Sequence, residues 1–128
     1  MNNLEMLRKW SEIEPSICKA TFMRGTFEIV SPIDINFPTA SYVLKIGRVS
    51  EFERWYLLNA VLACQCFIKD WFVVQSFPKF SGRNQQWICA IECRKTRKKE
   101  VFSGSTQVEA FLQTYLEMLR QVGGDKNA

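Results

Sequence analysis

Histidine is absent from this chain of 128 residues. Without an imidazole the chain lacks the commonest general base, any Ser-His or Cys-His nucleophile pair and any mixed cysteine-histidine zinc site, which leaves carboxylate pairs, a lysine nucleophile or a lone activated cysteine. The six glycines are scattered, so none of them builds a phosphate-binding loop. Asp34 and Asn36 lack the glycine and the distal glutamate that would complete a calcium loop. These absences predict a protein that is not an enzyme and that uses no cofactor and no metal ion.

Long apolar runs are also lacking. The longest apolar stretch, Trp55 to Ile68, spans 14 residues and is interrupted by Asn59 and Gln65, so it is too short to cross a membrane. The opening sequence MNNLEMLRKW is amphipathic and does not have the pattern of a secretory signal. We therefore expect a cytoplasmic protein with no membrane insertion.

The five cysteines are an odd number, which favours reduced thiols over a disulfide framework. Cys64 and Cys66 are two apart on a predicted helix, so their side chains point in different directions. Cys89 and Cys93 are four apart on a predicted strand, which separates them by about 13 Å. Neither spacing suits a zinc site, and we expect these thiols to be core side chains.

Hydrophobic periodicity predicts three helices and five strands. Each helix begins at a capping residue that is followed three positions later by a glutamate; the pairs are Asn2 with Glu5, Ser50 with Glu53, and Thr106 with Glu109. The helices are expected to end before Pro15, near Ile68, and at Gly123 and Gly124. The strands are expected at 26–30, at 41–49, from Trp71 onward, through Trp87 to Cys93, and at 99–103.

The predicted fold is α+β. It is a single domain over residues 1–128, in which a two-layer antiparallel sheet packs against helices in the order α-ββα-βββα. The segments 21–68 and 69–122 each place two aromatic-led strands, joined by a Pro-containing connection, before a capped helix. This likeness raises the hypothesis of a degenerate internal ββα duplication, with convergence as the alternative.

Two details of packing follow from the same patterns. The second helix is apolar nearly all the way round, which is typical of a helix that packs on more than one side. In the strand that starts at Trp71, strict alternation would place Trp71, Val73 and Phe77 on one face.

Basic side chains are concentrated in one short segment. The formal net charge is +4, and the five cations Arg94, Lys95, Arg97, Lys98 and Lys99 exceed that value by themselves. At a hairpin tip they would have the geometry that binds phosphates, and Lys79 and Arg83 would extend that surface if the preceding hairpin lay alongside. The alternative is a solvated tip whose lysines discourage edge-to-edge association.

From these observations we predict a non-enzymatic interaction protein that acts on a protein partner or on its own copy, and we expect it to self-associate. The alternative function is nucleic-acid binding through the hairpin from Arg94 to Lys99.

Overall fold

The structure, a computed structural model, describes residues 2–47 and 52–127, and only the backbone at Ser81 and at 123–127. Its described elements are α1 (Asn3–Ile13), β1 (Cys18–Ala20), β2 (Thr26–Pro32), β3 (Ser41–Gly47), α2 (Phe52–Ile68), β4 (Trp71–Ser81), β5 (Asn84–Cys93), β6 (Lys99–Gly104) and α3 (Gln107–Asn127). The described strands form two antiparallel sheets, with the orders β1-β2-β3 and β4-β5-β6. The predicted α+β class is confirmed.

The predicted element order needs one correction, because a strand precedes the first predicted pair. Cys18 pairs with Ile29, and Ala20 pairs with Phe27, which makes β1 an edge strand of the first sheet. A strand of three residues is too short to show alternation, so periodicity missed it.

Two of the three predicted caps are confirmed. The side chain of Asn2 accepts a hydrogen bond from the backbone N–H of Glu5 at 2.9 Å, and the Thr106 hydroxyl accepts one from the N–H of Glu109 at 3.2 Å. The third predicted cap, at Ser50, lies outside the described residues.

The predicted end of the last helix is wrong. The helix α3 continues past Gly123 and Gly124 to Asn127. Glycine costs a helix only about 1 kcal/mol relative to alanine, so it does not by itself end one.

The hydrophobic core joins all three helices to the inner faces of both sheets. Phe27 and Ile29 of β2 and Ile46 of β3 are buried in the first sheet. In the second sheet, β5 faces α3, where the Thr114 hydroxyl donates to the Ala110 carbonyl oxygen at 2.6 Å and lies 3.4 Å from the carbonyl oxygen of the buried residue Cys89. The helix α2 packs against β2, β3, β4 and α3. None of the described helices is long and apolar enough to span a membrane.

A bulge in β4 changes which residues share a face. Val73 pairs with Ile91, but Gln75 pairs with the adjacent residue Ala90, so Val74 is an extra residue. As a result Phe77 lies on the opposite face from Val73. The predicted alignment of Phe77 with Trp71 and Val73 is therefore wrong, because strict alternation assumes a regular strand.

Candidate functional site: the outer face of the second helix

The outer face of α2 carries a row of uncharged side chains. These residues recur at intervals of four, four, three and four positions, which places them along one side of a helix; they are Phe52, Tyr56, Ala60, Ala63 and Phe67. Phe52 is 80% exposed, Tyr56 is 62% exposed and Phe67 is 47% exposed. The two alanines between them are half-buried. We call this row the α2 stripe.

The opposite side of α2 belongs to the core, where Leu58, Val61, Leu62 and Cys66 are buried. The helix is thus apolar on both sides, as its sequence predicts. Within the described residues, the stripe is exposed at Phe52, Tyr56 and Phe67, whereas Ala63 packs against the core. Asn59, at the edge of the α2 stripe, carries a polar atom that lacks a hydrogen-bond partner among the described residues. This atom, Oδ1, is buried.

A groove lies at the C-terminal end of the α2 stripe. It has a volume of about 530 Å³ and is lined by Phe67, Ile68, Asp70, Trp71, Phe72 and Arg94. We call it the α2–β4 groove. The backbone N–H of Arg94 donates to the Asp70 carbonyl oxygen at 2.8 Å, which fixes the start of the basic hairpin beside the end of the helix.

The basic hairpin, residues 94–99, connects β5 to β6 as predicted, and all five of the predicted cations are exposed. Carboxylates offset part of its charge. Glu92 lies 3.1 Å from Arg97 and 3.8 Å from Lys99, and Asp70 lies 3.5 Å from Lys95.

Two further features of the hairpin concern its remaining cations. The Lys98 ammonium group donates to the side-chain oxygen of Gln121 at 3.0 Å. Among the described residues, no carboxylate lies within ion-pair distance of the Arg94 guanidinium group. Arg94 therefore lines the α2–β4 groove with no ion-pair partner in the part of the chain that the structure describes.

Lys79 and Arg83 lie elsewhere. Arg83 is in the β4–β5 turn, next to the first residue of β5, whereas Arg94 follows the last residue of that strand. The ten residues of β5 separate the two hairpins by about 30 Å at the rise of an antiparallel strand. The structure therefore does not bring Lys79 and Arg83 together with the basic hairpin.

Glu14 is the centre of a partly buried polar network that the sequence did not reveal. Its carboxylate accepts hydrogen bonds from the Trp10 indole N–H at 2.9 Å and from the Tyr115 hydroxyl at 2.5 Å. It also lies 3.1 Å from the Lys69 ammonium group, which donates to the side chain of Gln65 at 2.8 Å. Burial and the nearby Glu14 carboxylate raise the pKa of Tyr115 above its ordinary value. The network joins α1, α2 and α3, which is a structural role, and its lysine is held by two partners.

The thiols fall into two groups. Burial raises the pKa of Cys18 and of Cys66 to about 12 and that of Cys89 to about 11. The half-buried Cys93 differs, because a hydrogen bond with Thr96 lowers its pKa. No group of three or more potential metal ligands is present among the described residues.

Comparison with known proteins gives no family for the chain. No family model matches it, no curated protein matches it, and no solved structure matches it.

Proposed function

We propose that this chain is a non-enzymatic interaction protein that associates with a second copy of itself through the α2 stripe. The observation that carries this proposal is the exposure of Phe52, Tyr56 and Phe67 on one side of a helix whose other side is in the core. Isolated exposed apolar residues are ordinary, but a contiguous apolar surface marks an interaction site.

The size of the surface supports a protein partner. A buried aromatic side chain covers about 200 Å², so the exposed parts of the three aromatic residues supply about 400 Å² of apolar area. A stable interface needs about 800 Å² on each partner. Leu57 and Ile68, which are also exposed on α2, and the α2–β4 groove lie beside the stripe and extend it toward that size.

The order of side chains in the α2 stripe suits a twofold axis. Two copies of α2 can pack antiparallel about a twofold axis at the middle of the stripe. The Phe52 end of one helix then meets the Phe67 end of the other, and Ala60 of one chain lies near Ala60 of the second chain. Small side chains at the centre let the two helix axes approach closely.

Replacing Ala60 with glutamate tests the proposal, because a twofold axis would bring two buried carboxylates together. We expect the variant Ala60→Glu to be monomeric under conditions in which the unaltered protein is dimeric, as measured by sedimentation equilibrium. The matched control is Ala20→Glu, which places the same charge on an exposed residue of β1. Circular dichroism checks that both variants are folded.

A second variant tests the proposal even if Ala60→Glu does not fold. Phe52 is largely exposed, so Phe52→Ala should leave the fold intact while it weakens self-association at least about tenfold. If the unaltered protein remains monomeric at concentrations of several hundred micromolar, the proposal is wrong.

The alternative function is nucleic-acid binding through the basic hairpin, supported by the exposure of its five cations. The ion pairs of Glu92 and Asp70 count against it, as does the distance to Lys79 and Arg83. Salt-sensitive retention on DNA or RNA that falls when Arg97, Lys98 and Lys99 are replaced with alanine would support this function. Absence of retention at low salt would exclude it.

We also infer that the two sheet-and-helix units arose by internal duplication; they were predicted as 21–68 and 69–122, and the first unit also includes the preceding strand β1. Each sheet is a three-stranded meander followed by a helix, which supports this origin. Related sequences whose halves resemble each other more closely would support it further, and relatives in which only one half is recognisable would count against it.

The cysteines bear on where the protein works. All five are free thiols, and reduced cysteines favour a cytoplasmic location. Fractionation of cells that express the tagged protein tests this proposal.

A further inference from the structure

We propose that each copy inserts Phe52 into the α2–β4 groove of the other copy, and that Glu53 then pairs with Arg94 across the interface. The inference rests on the proposed self-association and specifies its contacts. In this arrangement, the first turn of α2 from a second chain occupies the groove.

The positions along the helix match. Phe52 and Phe67 are at the two ends of the α2 stripe, and 15 residues separate them by about 22 Å at the rise of an α-helix. An antiparallel pairing about the middle of the stripe brings Phe52 of one copy level with Phe67 of the other. Phe67 lines the α2–β4 groove, so the most exposed aromatic side chain of α2 meets a groove in which four of the six lining residues are apolar.

The positions around the helix also match. A twofold axis perpendicular to two antiparallel helices places the same flank of each helix on the same side of the pair. On α2, Glu53 and Ile68 lie on the same flank of the stripe, because each residue advances the helix by about 100°. Glu53 of one copy therefore lies beside Ile68, and hence beside the groove, of the other.

The charges are complementary and too far apart to meet within one chain. Glu53 is exposed in the first turn of α2, and among the described residues no cation lies within ion-pair distance of it. Arg94 lines the groove at the other end of that helix, where its guanidinium group is likewise unpaired within the described part of the chain. About 20 Å of helix separates the two residues in one copy, so only a second copy brings them together.

Charge reversal tests the pairing. We expect Glu53→Arg and Arg94→Glu each to weaken self-association about tenfold or more in sedimentation equilibrium at low salt, because each places like charges together twice in a dimer. The double variant Glu53→Arg/Arg94→Glu should recover the affinity of the unaltered protein to within about threefold. The control is Lys98→Glu, which reverses a hairpin charge that neither lines the groove nor pairs with a described carboxylate.

Mixing the two single variants gives a sharper test, because both contacts are complementary in a mixed dimer. The positive charge introduced by Glu53→Arg in one chain meets the negative charge introduced by Arg94→Glu in the other. At the second contact, the unaltered Glu53 meets the unaltered Arg94. We expect the equimolar mixture to form a dimer at concentrations at which each variant alone is monomeric. If either variant failed to dimerise because it was misfolded, mixing the two would not restore the dimer.

The outcomes separate this inference from the proposed function. If the unaltered protein dimerises and Ala60→Glu abolishes the dimer, but the charge reversals have no effect or the mixture fails to recover, then the groove contact is wrong and the α2 interface stands. If the unaltered protein is monomeric, both are wrong. Recovery in the double variant and in the mixture would establish the contact.

Discussion

Replacement of Glu14 with alanine should destabilise the fold more than any change at an exposed carboxylate. The Glu14 carboxylate accepts from the Trp10 indole and the Tyr115 hydroxyl and pairs with Lys69. The Glu14 and Lys69 side chains are only 17% and 21% exposed, and Tyr115 is fully buried. Solvent therefore cannot replace these contacts easily.

The expected loss in the free energy of unfolding follows from the buried groups that lose their partner. A hydrogen bond to a charged group contributes about 1.5–3 kcal/mol, so Tyr115→Phe, which removes one such bond, should cost about that much. Glu14→Ala removes the acceptor of two bonds and the partner of Lys69, and breaking a buried pair in this way costs about 3–5 kcal/mol. The side chain of Gln65 still accepts from Lys69, which limits the loss.

Urea denaturation at pH 7, followed by circular dichroism, measures these differences. The matched control is Glu12→Ala, which removes an exposed carboxylate from the same helix and should change the free energy of unfolding by less than about 0.5 kcal/mol. The expected order of destabilisation is Glu14→Ala, then Tyr115→Phe, then Glu12→Ala. An equal effect of Glu14→Ala and Glu12→Ala would refute the network as a source of stability.

Three further predictions concern thiols and a glycine. The pKa values of Cys18 and Cys66 are raised to about 12 in the fold from an ordinary value of 9.0, so the unfolded chain loses these protons first as the pH rises. The free energy of unfolding should then fall above that ordinary value by about 1.4 kcal/mol per pH unit for each thiol, and a flat profile across the alkaline range would contradict this. Iodoacetamide should modify Cys93 before the buried thiols, and Thr96→Val should slow that reaction, as peptide mapping would show. Gly104→Ala should lower the thermal midpoint, because its Cβ atom would lie 2.8 Å from the backbone nitrogen of Ala110; an unchanged midpoint would mean that the start of α3 moves freely.

Local signals in the sequence predicted the features that depend on a few adjacent residues. The Asn2 and Thr106 caps form as expected because a cap needs only a side chain and a backbone N–H three positions away. The basic hairpin lies between two strands as predicted because alternation stops at Cys93 and begins again at Lys99.

Features that depend on distant residues could not be predicted in this way. Asp70 meets Lys95 only because the end of α2 packs beside the hairpin, and Glu14 meets Tyr115 across 101 positions of sequence. The bulge in β4 has no marker such as glycine, so alternation placed Phe77 on the wrong face.

The α2 stripe is a different case. The spacing of Phe52, Tyr56 and Ala60 is visible in the sequence, and so is the apolar character of the helix on all sides. Which side of such a helix stays uncovered is decided by the packing of α2 against both sheets and α3, and that packing depends on residues far away in the chain.

The contact between Glu14 and Tyr115 also affects the order of events during synthesis. At about 5–20 residues per second, the ribosome needs several seconds to add the residues between these two positions. The first helix therefore leaves the ribosome well before its partner on α3 exists, and during that interval its apolar residues Met6, Leu7 and Trp10, buried in the finished protein, have no completed core to enter. The contact of the first helix with β1 can form early, but its contact with α3 can form only after the last helix has been made.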